Sequence, residues 1–395
     1  MNHRDRFQRR LGPERFRQRI LGHDVIVHCH HYNARLQRAV QEASAIDGAS
    51  LVASTAEATF TSIVKAAVDG TASREEGLAA AAELYSHLGF GQIDTSEIAR
   101  GSVTATESHY VEGYRAGFAE RDKPVCTLTS GYVRAMMHAL TGEAPHVREV
   151  ECMITGAKAC RFEVDPKRSS ALHEAPKTTP AARPKPEVSS IRSATVNEHA
   201  IIEAVTGMPV FGAENGLIPA FNVYLANMPA DFYNLLAIRF VEEMQKHGQG
   251  DVAAKQLVYV AETCGLNTFR GILDSPEWEA LIAPMVKQPS DVLFGIIAVS
   301  NALGWGHWRV TKHESRDAVT LVSYDGYEAD GMLEYRGGSA SPSCHMLSGV
   351  ATGIMELVYG SGSLKERFGQ YAGREHACRA SKSHVCAFHV ESREE

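Results

Sequence analysis

Six of the eight cysteines in this 395-residue chain fall into two sets that end in the same motif, Glu-x2-Cys-x7-Cys. The members are Cys126, Glu149, Cys152 and Cys160 in the first set, and Cys344, Glu375, Cys378 and Cys386 in the second. Thiolates are soft ligands that hold Zn²⁺ at about 2.3 Å, and a carboxylate oxygen can complete a tetrahedral shell. Four protein ligands leave no position open for water. The pattern therefore predicts structural zinc, with up to two ions per chain.

The choice of glutamate rests on a comparison of the two sets. Glu151 also lies near Cys152, but its counterpart in the second set is Ala377, whereas Glu149 is matched by Glu375. In an extended strand, Glu149 and Cys152 would point to opposite faces, so the assignment requires a turn between them. The alternative interpretation is that the cysteines are merely buried small apolar residues, and it leaves the repeated motif unexplained.

Histidines are the second group of residues that can do chemistry. Residues 28–31 read His-Cys-His-His before Tyr32-Asn33, but the second half has Met-Pro-Ala-Asp-Phe at 228–232 before Tyr233-Asn234, so the histidines are not part of a shared scaffold. Adjacent residues of a strand face opposite ways, which argues against their convergence on one ion. The weak candidates for acid–base catalysis are His30, His31, His109 and His307. Cys29 and Cys264 lie outside the cysteine pattern and are interpreted as core residues.

The same landmarks recur in both halves of the chain, which indicates an internal duplication. The first half contains Tyr32-Asn33, Leu88-Gly89-Phe90-Gly91 and Ser130-Gly131, and the second contains Tyr233-Asn234, Leu303-Gly304-Trp305-Gly306 and Ser348-Gly349. Prolines among Lys, Ser, Thr and Ala after residue 165 are typical of a linker. We predict a basic arm at 1–19, one unit at 20–165, a linker at 166–200 and a second unit at 201–392.

The elements that position the two sets can be predicted from residue patterns. Apolar residues on one helical face follow Cys126 and Cys344 and predict a helix after each, with Gly142 and Gly360 near the helix ends. Segments at 102–106, 160–164 and 318–323 alternate or are β-branched and predict strands. We therefore expect an α+β fold of two tandem repeats, each a helical layer on an antiparallel sheet with a zinc-stapled C-terminal lobe.

The composition is that of a globular protein, with 44% hydrophobic residues, 22% charged residues and a net charge of −7. No uninterrupted apolar run approaches the roughly 20 residues that span a bilayer, so we expect no membrane association. Arginines are frequent between Arg4 and Arg19, but no apolar segment that would make a signal peptide follows them. We interpret this arm as solvated and expect no nucleic acid partner. Clustered cysteines without an export signal indicate a reducing, cytoplasmic location.

The stretch 125–164 resembles the 4-vinyl-reductase-like domain family, which also forms the sensor of phenol- and xylene-responsive transcription activators. The resemblance rests on Pro124-Val125-Cys126, Ser130-Gly131-Tyr132, residues 148–152 and Cys160-Arg161-Phe162, and in the second half on Glu375, Cys378, Cys386 and Phe388. It implies two tandem copies, zinc held by three cysteines and a glutamate, a pocket for an apolar or aromatic molecule, and dimerisation.

The chain departs from the activators of that family in two ways. It contains no Gly-x4-Gly-Lys-Ser/Thr phosphate loop and no evident helix-turn-helix motif, so the sequence does not predict an ATP-driven activator. The histidine and tryptophan that contact phenol in those sensors have no clear match either. The identity of the ligand therefore does not carry over.

Three functions follow as hypotheses. The first is a zinc-containing module that binds or senses a small apolar or aromatic molecule, such as a hydrocarbon, in one of the two copies. The residues predicted to line such a pocket are Phe90, Tyr110, Tyr132, Met136, Trp305, Trp308 and Met346, although aromatic and Met residues also serve simply as core. The alternatives are a biosynthetic enzyme that acts on a small organic substrate, and a scaffold that docks a partner protein. We expect a homodimer.

Overall fold

A computed structural model of the chain describes residues 6–11, 16–118, 121–169, 173, 175, 177–179 and 188–393. Parts of the predicted arm, including Arg4 and Arg15, lie outside the described residues. The same holds for most of the predicted linker, including Pro176, Pro180, Pro184 and Pro186. In the described part of the arm, Phe7, Arg17 and Gln18 are buried, so the interpretation of the arm as solvated is wrong at these residues.

The chain forms two compact units that are not continuous in sequence. Unit 1 consists of Met1–Arg10, Arg19–Ala175 and Val210–Phe240, and unit 2 consists of Leu11–Gln18, Pro176–Pro209 and Val241–Glu395. Each unit therefore includes a short segment from the other side of the linker. The boundaries predicted at residues 165 and 200 separate the two sequence repeats, which are not the same as these two compact units. Those boundaries stay a prediction.

The first half of the chain contributes strands and helices whose order the second half follows with some additional helices. They are β1 (Arg10–Leu11), β2 (Gln18–Ile20), β3 (His23–Cys29), α1 (His30–Gln41), α2 (Gly48–Val68), α3 (Arg74–His87), β4 (Gly91–Asp94), β5 (Ser102–Ser108), α4 (His109–Gly117), α5 (Thr127–Thr141), β6 (Pro145–Glu151) and β7 (Cys160–Ser169). The strands β4, β5, β7 and β6 form an antiparallel sheet in that order.

The second half contributes α6 (Glu198–Gly207), β8 (Ile218–Ala220), β9 (Val223–Pro229), α7 (Ala230–Gln245), α8 (Gly250–Leu273), α9 (Pro276–Leu281), α10 (Pro289–Ala302), β10 (Trp308–Glu314), β11 (Ala318–Ser323), α11 (Tyr327–Arg336), α12 (His345–Tyr359), α13 (Leu364–Arg367), β12 (Tyr371–Ala377) and β13 (Cys386–Ser392). Strands β10, β11, β13 and β12 form a second antiparallel sheet with the same order as the first. The α+β class and the antiparallel sheets are therefore confirmed.

A third sheet has the order β1, β2, β3, β9, β8, and within unit 1 it joins β3 to β9 in antiparallel register. The bounds of β2, β3 and α1 differ from those of β8, β9 and α7 by 200 residues at their starts. Asn33 therefore corresponds to Tyr233. The alignment of Tyr32-Asn33 with Tyr233-Asn234 is wrong by one residue, because a repeated dipeptide is a weaker guide to register than the strand that precedes it.

The helix α2 packs against α5 in unit 1. Gly131, of the Ser130-Gly131 landmark, allows the two helices to approach closely. A Cβ atom on Gly131 would collide with the backbone carbonyl of Ala53, so only glycine permits this approach of the two helices. Length and composition alone would allow α2 to cross a membrane, but 56% of its apolar window is buried inside the protein. It also contains Glu57, which is buried and paired with Arg134 of α5. These are the properties of a core helix.

Candidate metal centres and the buried histidine site

The first set of ligands converges in unit 1. Its four candidate ligand atoms lie within 4.8 Å of one another. The Sγ atom of Cys160 is 3.5 Å from that of Cys126 and 3.7 Å from that of Cys152, which is far longer than a disulfide bond. Because three sulfurs and a carboxylate face one point inside the fold, the group can hold a metal ion.

Each ligand of this group comes from a different element. Cys126 is the N-cap residue of α5, and Cys160 is the first residue of β7. Cys152 follows β6 and caps a short 3-10 helix at Met153–Thr155. The group therefore ties the start of a helix to the ends of two paired strands.

Glu149 reaches the group by a β-bulge rather than by the expected turn. Glu149 pairs with Phe162 and Glu151 with Arg161, so Val150 is an extra residue on β6. The extra residue reverses the alternation of side chains and brings Glu149 and Cys152 to the same side. Glu151 instead forms an exposed ion pair with Arg161, as expected for a residue that is not a ligand.

The second set repeats this arrangement in unit 2. The sulfur of Cys344 is 3.8 Å from that of Cys378 and 3.6 Å from that of Cys386, and the latter two are 4.0 Å apart. The register of β12 also shifts by one residue between Glu375 and Ala377. We call the two groups site 1 and site 2.

The carboxylates are arranged alike in both sites. One oxygen of Glu149 accepts the backbone N–H of Cys126 at 2.7 Å, and one oxygen of Glu375 accepts that of Cys344 at 2.8 Å. The other oxygen, Oε1, is buried without a hydrogen-bond partner among the described residues in each case. A buried carboxylate oxygen of this kind costs free energy unless a proton or a cation compensates it.

The acid–base properties of the two sites follow from burial and from mutual contact. Burial raises the pKa of Glu149 and of Glu375 to about 8. Hydrogen bonds from Cys126 and Cys160 lower the pKa of Cys152 to about 2, and the bond to Cys152 raises the pKa of Cys126. The pKa shifts of these neighbouring thiols therefore run in opposite directions. Full ligation by a divalent ion would release the remaining protons.

The predicted histidines do not form a third metal group. Among the described residues, sites 1 and 2 are the groups whose ligand atoms all lie within 4.8 Å of one another. His30 and His109 are buried, with ring centroids 6.2 Å apart, and His31 is half-buried beside His30. Burial lowers the pKa of His30 to about 3 and the pKa of His109 well below its usual value. Both rings are neutral at pH 7, which does not favour general acid–base catalysis. His307 lies in unit 2, where its ring contacts Phe16.

His109 belongs to a buried hydrogen-bond chain that the sequence did not reveal. The hydroxyl of Tyr233 donates to Oδ1 of Asn33 at 2.6 Å, and Nδ2 of Asn33 is 2.9 Å from Nε2 of His109. Because an amide nitrogen can only donate, Nε2 accepts and the ring proton is on Nδ1. That nitrogen is buried and has no hydrogen-bond partner among the described residues.

The residues predicted to line a pocket are all buried. In unit 1, Phe90 contacts His109, and Tyr132 packs edge-on against Tyr85 and Phe60. The ring of Tyr110 lies 5.8 Å from that of His109. Met136 lies on the buried face of α5. Phe90 and Tyr110 thus lie next to His109, and Tyr132 is connected to Phe90 through Phe60.

In unit 2 the predicted residues have different neighbours. Trp305 packs edge-on against Phe269, whereas Trp308 stacks on Phe388. The backbone N–H of Met346 donates to the buried carboxylate of Glu328.

A surface groove of about 630 Å³ lies in unit 1. Its lining includes Arg100, His146, Arg148 and Arg168 but none of the predicted pocket residues.

Together these features define an α+β protein of two units, each with a Cys3Glu group that can hold a metal ion. Residues 109–166 match the family model of the V4R domain, and this stretch holds all four ligands of site 1. This stretch of the chain is therefore similar to V4R domains.

A solved structure is also similar to part of the chain: the phenol-responsive sensory domain of the transcription activator PoxR, crystallised with phenol. The two share 14% identity with a TM-score of 0.39, and the match covers 51% of this chain and 92% of that one. No curated protein matches the chain.

Proposed function

We propose that both sites hold structural zinc. A regular tetrahedron with ligands at about 2.3 Å from its centre has edges of about 3.8 Å. The sulfur separations of 3.5–4.0 Å in sites 1 and 2 agree with that value. Three thiolates and one carboxylate also suit zinc better than a hard cation such as Mg²⁺.

Elemental mass spectrometry of the purified chain tests this proposal. We expect about two zinc ions per chain, and about one in Glu149→Gln or Cys378→Ala. Glu151→Gln is the matched control, because Glu151 is a neighbouring glutamate on the surface, and it should retain both ions. Iron in place of zinc, or a folded wild-type protein without metal, would refute the assignment.

We further propose that the protein binds a small aromatic molecule at His109 in unit 1. The observation that supports this is the buried N–H of His109, which lacks an acceptor in a cluster of aromatic rings. An unsatisfied buried donor costs roughly 1–3 kcal/mol, and a ligand that brings an acceptor oxygen would recover it. The aromatic neighbours would contact the rest of the ligand. The function is thus that of a zinc-stapled binding or sensing module.

Unit 2 is the weaker candidate for this binding function. In unit 1, His109 is the first residue of the helix α4, which follows strand β5. In unit 2, the helix α11 follows strand β11 and begins with Tyr327, so a tyrosine takes the place of His109. The guanidinium of Arg17 lies 5.9 Å from the centre of the Tyr327 ring and is itself buried. The corresponding region of unit 2 is thus filled by a side chain of the protein. This supports the expectation that a single copy binds the ligand.

Calorimetric titration with two probes of similar size tests the binding proposal. Phenol carries an acceptor oxygen and toluene does not, so wild-type protein should bind phenol more tightly. His109→Phe keeps the ring but removes the donor, and it should abolish this preference. His146→Phe, a change of an exposed histidine in the same unit, should leave it intact. Equal binding of phenol by His109→Phe and wild type would refute the role of His109.

The homodimer, the cytoplasmic location and a protein partner are separate proposals. Light scattering of the purified chain at several concentrations tests the first, because a homodimer would have twice the chain mass of 43.0 kDa. A mass of one chain at all concentrations would refute it.

A further inference from the structure

The segment Phe16–Gln18 belongs to unit 2, although it lies near the N-terminus. The ring of Phe16 is 4.3 Å from that of His307, and Nε2 of Gln18 donates to the backbone carbonyl of Ala302 at 2.8 Å. Gln18 is fully buried. These contacts surround the Leu-Gly-Trp-Gly landmark, which the zinc and ligand proposals leave unused.

Arg17 makes the most specific contacts of this segment. Its side chain is only 1% exposed, which is rare for arginine unless the charge is paired. Nη1 donates to the carbonyl of Gly304 at 3.1 Å, and Nη2 donates to Oδ2 of Asp330 at 3.3 Å. Gly304 has φ = +88°, a conformation that favours glycine and turns its carbonyl towards Arg17.

Asp330 connects Arg17 to site 2. Its other oxygen accepts from Nη1 of Arg379, the residue that directly follows the ligand Cys378. The backbone N–H of Arg379 in turn donates to Sγ of Cys386 at 3.4 Å. One carboxylate is therefore shared between the N-terminal segment and the loop that carries two ligands of site 2.

We propose that binding of metal at site 2 and docking of Arg17 against Asp330 reinforce each other, with Arg379 as the connecting residue. The inference rests on the proposed metal site. A metal at site 2 fixes the loop after Cys378, which fixes Arg379 and orients Asp330 towards Arg17. Because coupling between two binding events is reciprocal, removal of Arg17 must also weaken the hold of site 2 on its metal.

Site 1 provides an internal comparison, because Met153 stands at the position of Arg379. Its backbone N–H also donates to a ligand sulfur, that of Cys160, at 3.5 Å. The side chain, however, cannot form an ion pair. Site 1 therefore has the same metal group without the ionic connection, and Arg379→Met converts site 2 to that arrangement.

Trypsin cleavage after Arg17 measures docking. With metal bound, the wild-type bond after Arg17 should resist trypsin, and a chelator should speed its cleavage by at least about fivefold. Arg379→Met should show fast cleavage even with metal bound. Arg161→Met is the matched control, because Arg161 pairs with Glu151 on the surface beside site 1 and should not change cleavage. Unchanged tryptophan fluorescence would show that unit 2 stays folded, since all three tryptophans lie in it.

Alkylation with a chelator present measures the reverse effect. In Arg17→Leu, Cys378 and Cys386 should be alkylated at least about fivefold faster than in wild type, whereas Cys152 and Cys160 of site 1 should not change. Arg19→Leu, in the exposed pair of Arg19 with Asp24, is the control.

Metal in both sites together with unchanged cleavage and alkylation in the variants would overturn the coupling alone. Lack of metal in the wild-type protein would overturn both the coupling and the metal proposal.

Discussion

Replacement of Arg134 by leucine is expected to destabilise unit 1 by about 3–5 kcal/mol, because it removes the guanidinium that pairs with the buried carboxylate of Glu57 and leaves that carboxylate with the half-exposed His173, 3.0 Å away. Arg134 donates to both oxygens of Glu57, at 2.8 and 2.9 Å, and to the carbonyl of Pro145 at 2.7 Å. The side chain of Glu57 is only 1% exposed, so water cannot replace the lost bonds. The pair connects α2 to α5, the helix that begins after the ligand Cys126.

The double variant Glu57→Leu/Arg134→Leu separates the ion pair from simple loss of packing. Two leucines remove both charges together, so the double variant should be within about 1–2 kcal/mol of wild type. For a unit of this size, a loss of 3–5 kcal/mol corresponds to a fall in Tm of about 10 °C.

Circular dichroism during heating follows both units, whereas tryptophan fluorescence follows unit 2 alone, because unit 1 contains no tryptophan. Arg134→Leu should lower the transition seen only by circular dichroism and leave the fluorescence transition in place. If the single and double variants are equally destabilised, the buried carboxylate is not the cause and the reasoning fails.

Three further changes have expected outcomes. Burial, and next the charge of Glu262, raises the pKa of Glu356 to about 8, from an ordinary value of 4.5. The folded unit 2 therefore holds a proton that the unfolded chain releases. The contribution of Glu356 to stability is therefore fully present below pH 4.5 and is lost as pH rises towards 8. Glu356→Gln should flatten the fall in stability between these pH values in urea unfolding followed by tryptophan fluorescence, and an unchanged slope would contradict this prediction. Gly131→Ala should lower the free energy of unfolding of unit 1 by about 1–3 kcal/mol, because the new Cβ would collide with the carbonyl of Ala53. Gly117→Ala is the control, since the space around Gly117 is open, and circular dichroism during heating measures both variants. A chelator should lower the urea midpoint of unit 2 in wild type, and an equal midpoint with and without it would argue against a structural metal.

The metal groups were largely predictable from the sequence because their information is local. The motif Glu-x2-Cys-x7-Cys occurs twice, and the comparison of Glu149 with Glu375 selected the glutamate that lies within 4.8 Å of the three cysteine sulfurs. The way in which Glu149 reaches Cys152 was not predictable in detail. A turn and a bulge both solve the problem of side-chain alternation, and the pairing of β6 with β7 that decides between them is not visible in β6 alone.

The partners of His109 and Arg17 were beyond the reach of the sequence. Tyr233 is 124 positions from His109 in the chain, and Asp330 is 313 positions from Arg17. No periodicity or motif relates residues at such separations. A repeated Tyr-Asn pair did draw attention to Asn33 and Tyr233, but as equivalent landmarks rather than as hydrogen-bond partners. Contacts of this kind follow from the exchange of short segments between the two units, which a division of the sequence at the linker does not anticipate.

The two repeats differ at a position of the helix core that neither metal group involves. By the position of Cys126 and Cys344, Arg134 corresponds to Thr352, so unit 2 lacks the arginine that pairs with Glu57 in unit 1. The bulge, the capping cysteine and the carboxylate that accepts its N–H are nevertheless the same in both.

Helix contacts can change if the total packing is retained, whereas a four-ligand group fails when one ligand moves by an ångström or two. The same geometry in the two sites, beside a changed helix core, therefore agrees with the proposal of a structural metal in each unit. The core around His109 and the region around Arg17 lie outside the ligand sets of the two metal groups, so these two regions can have different roles.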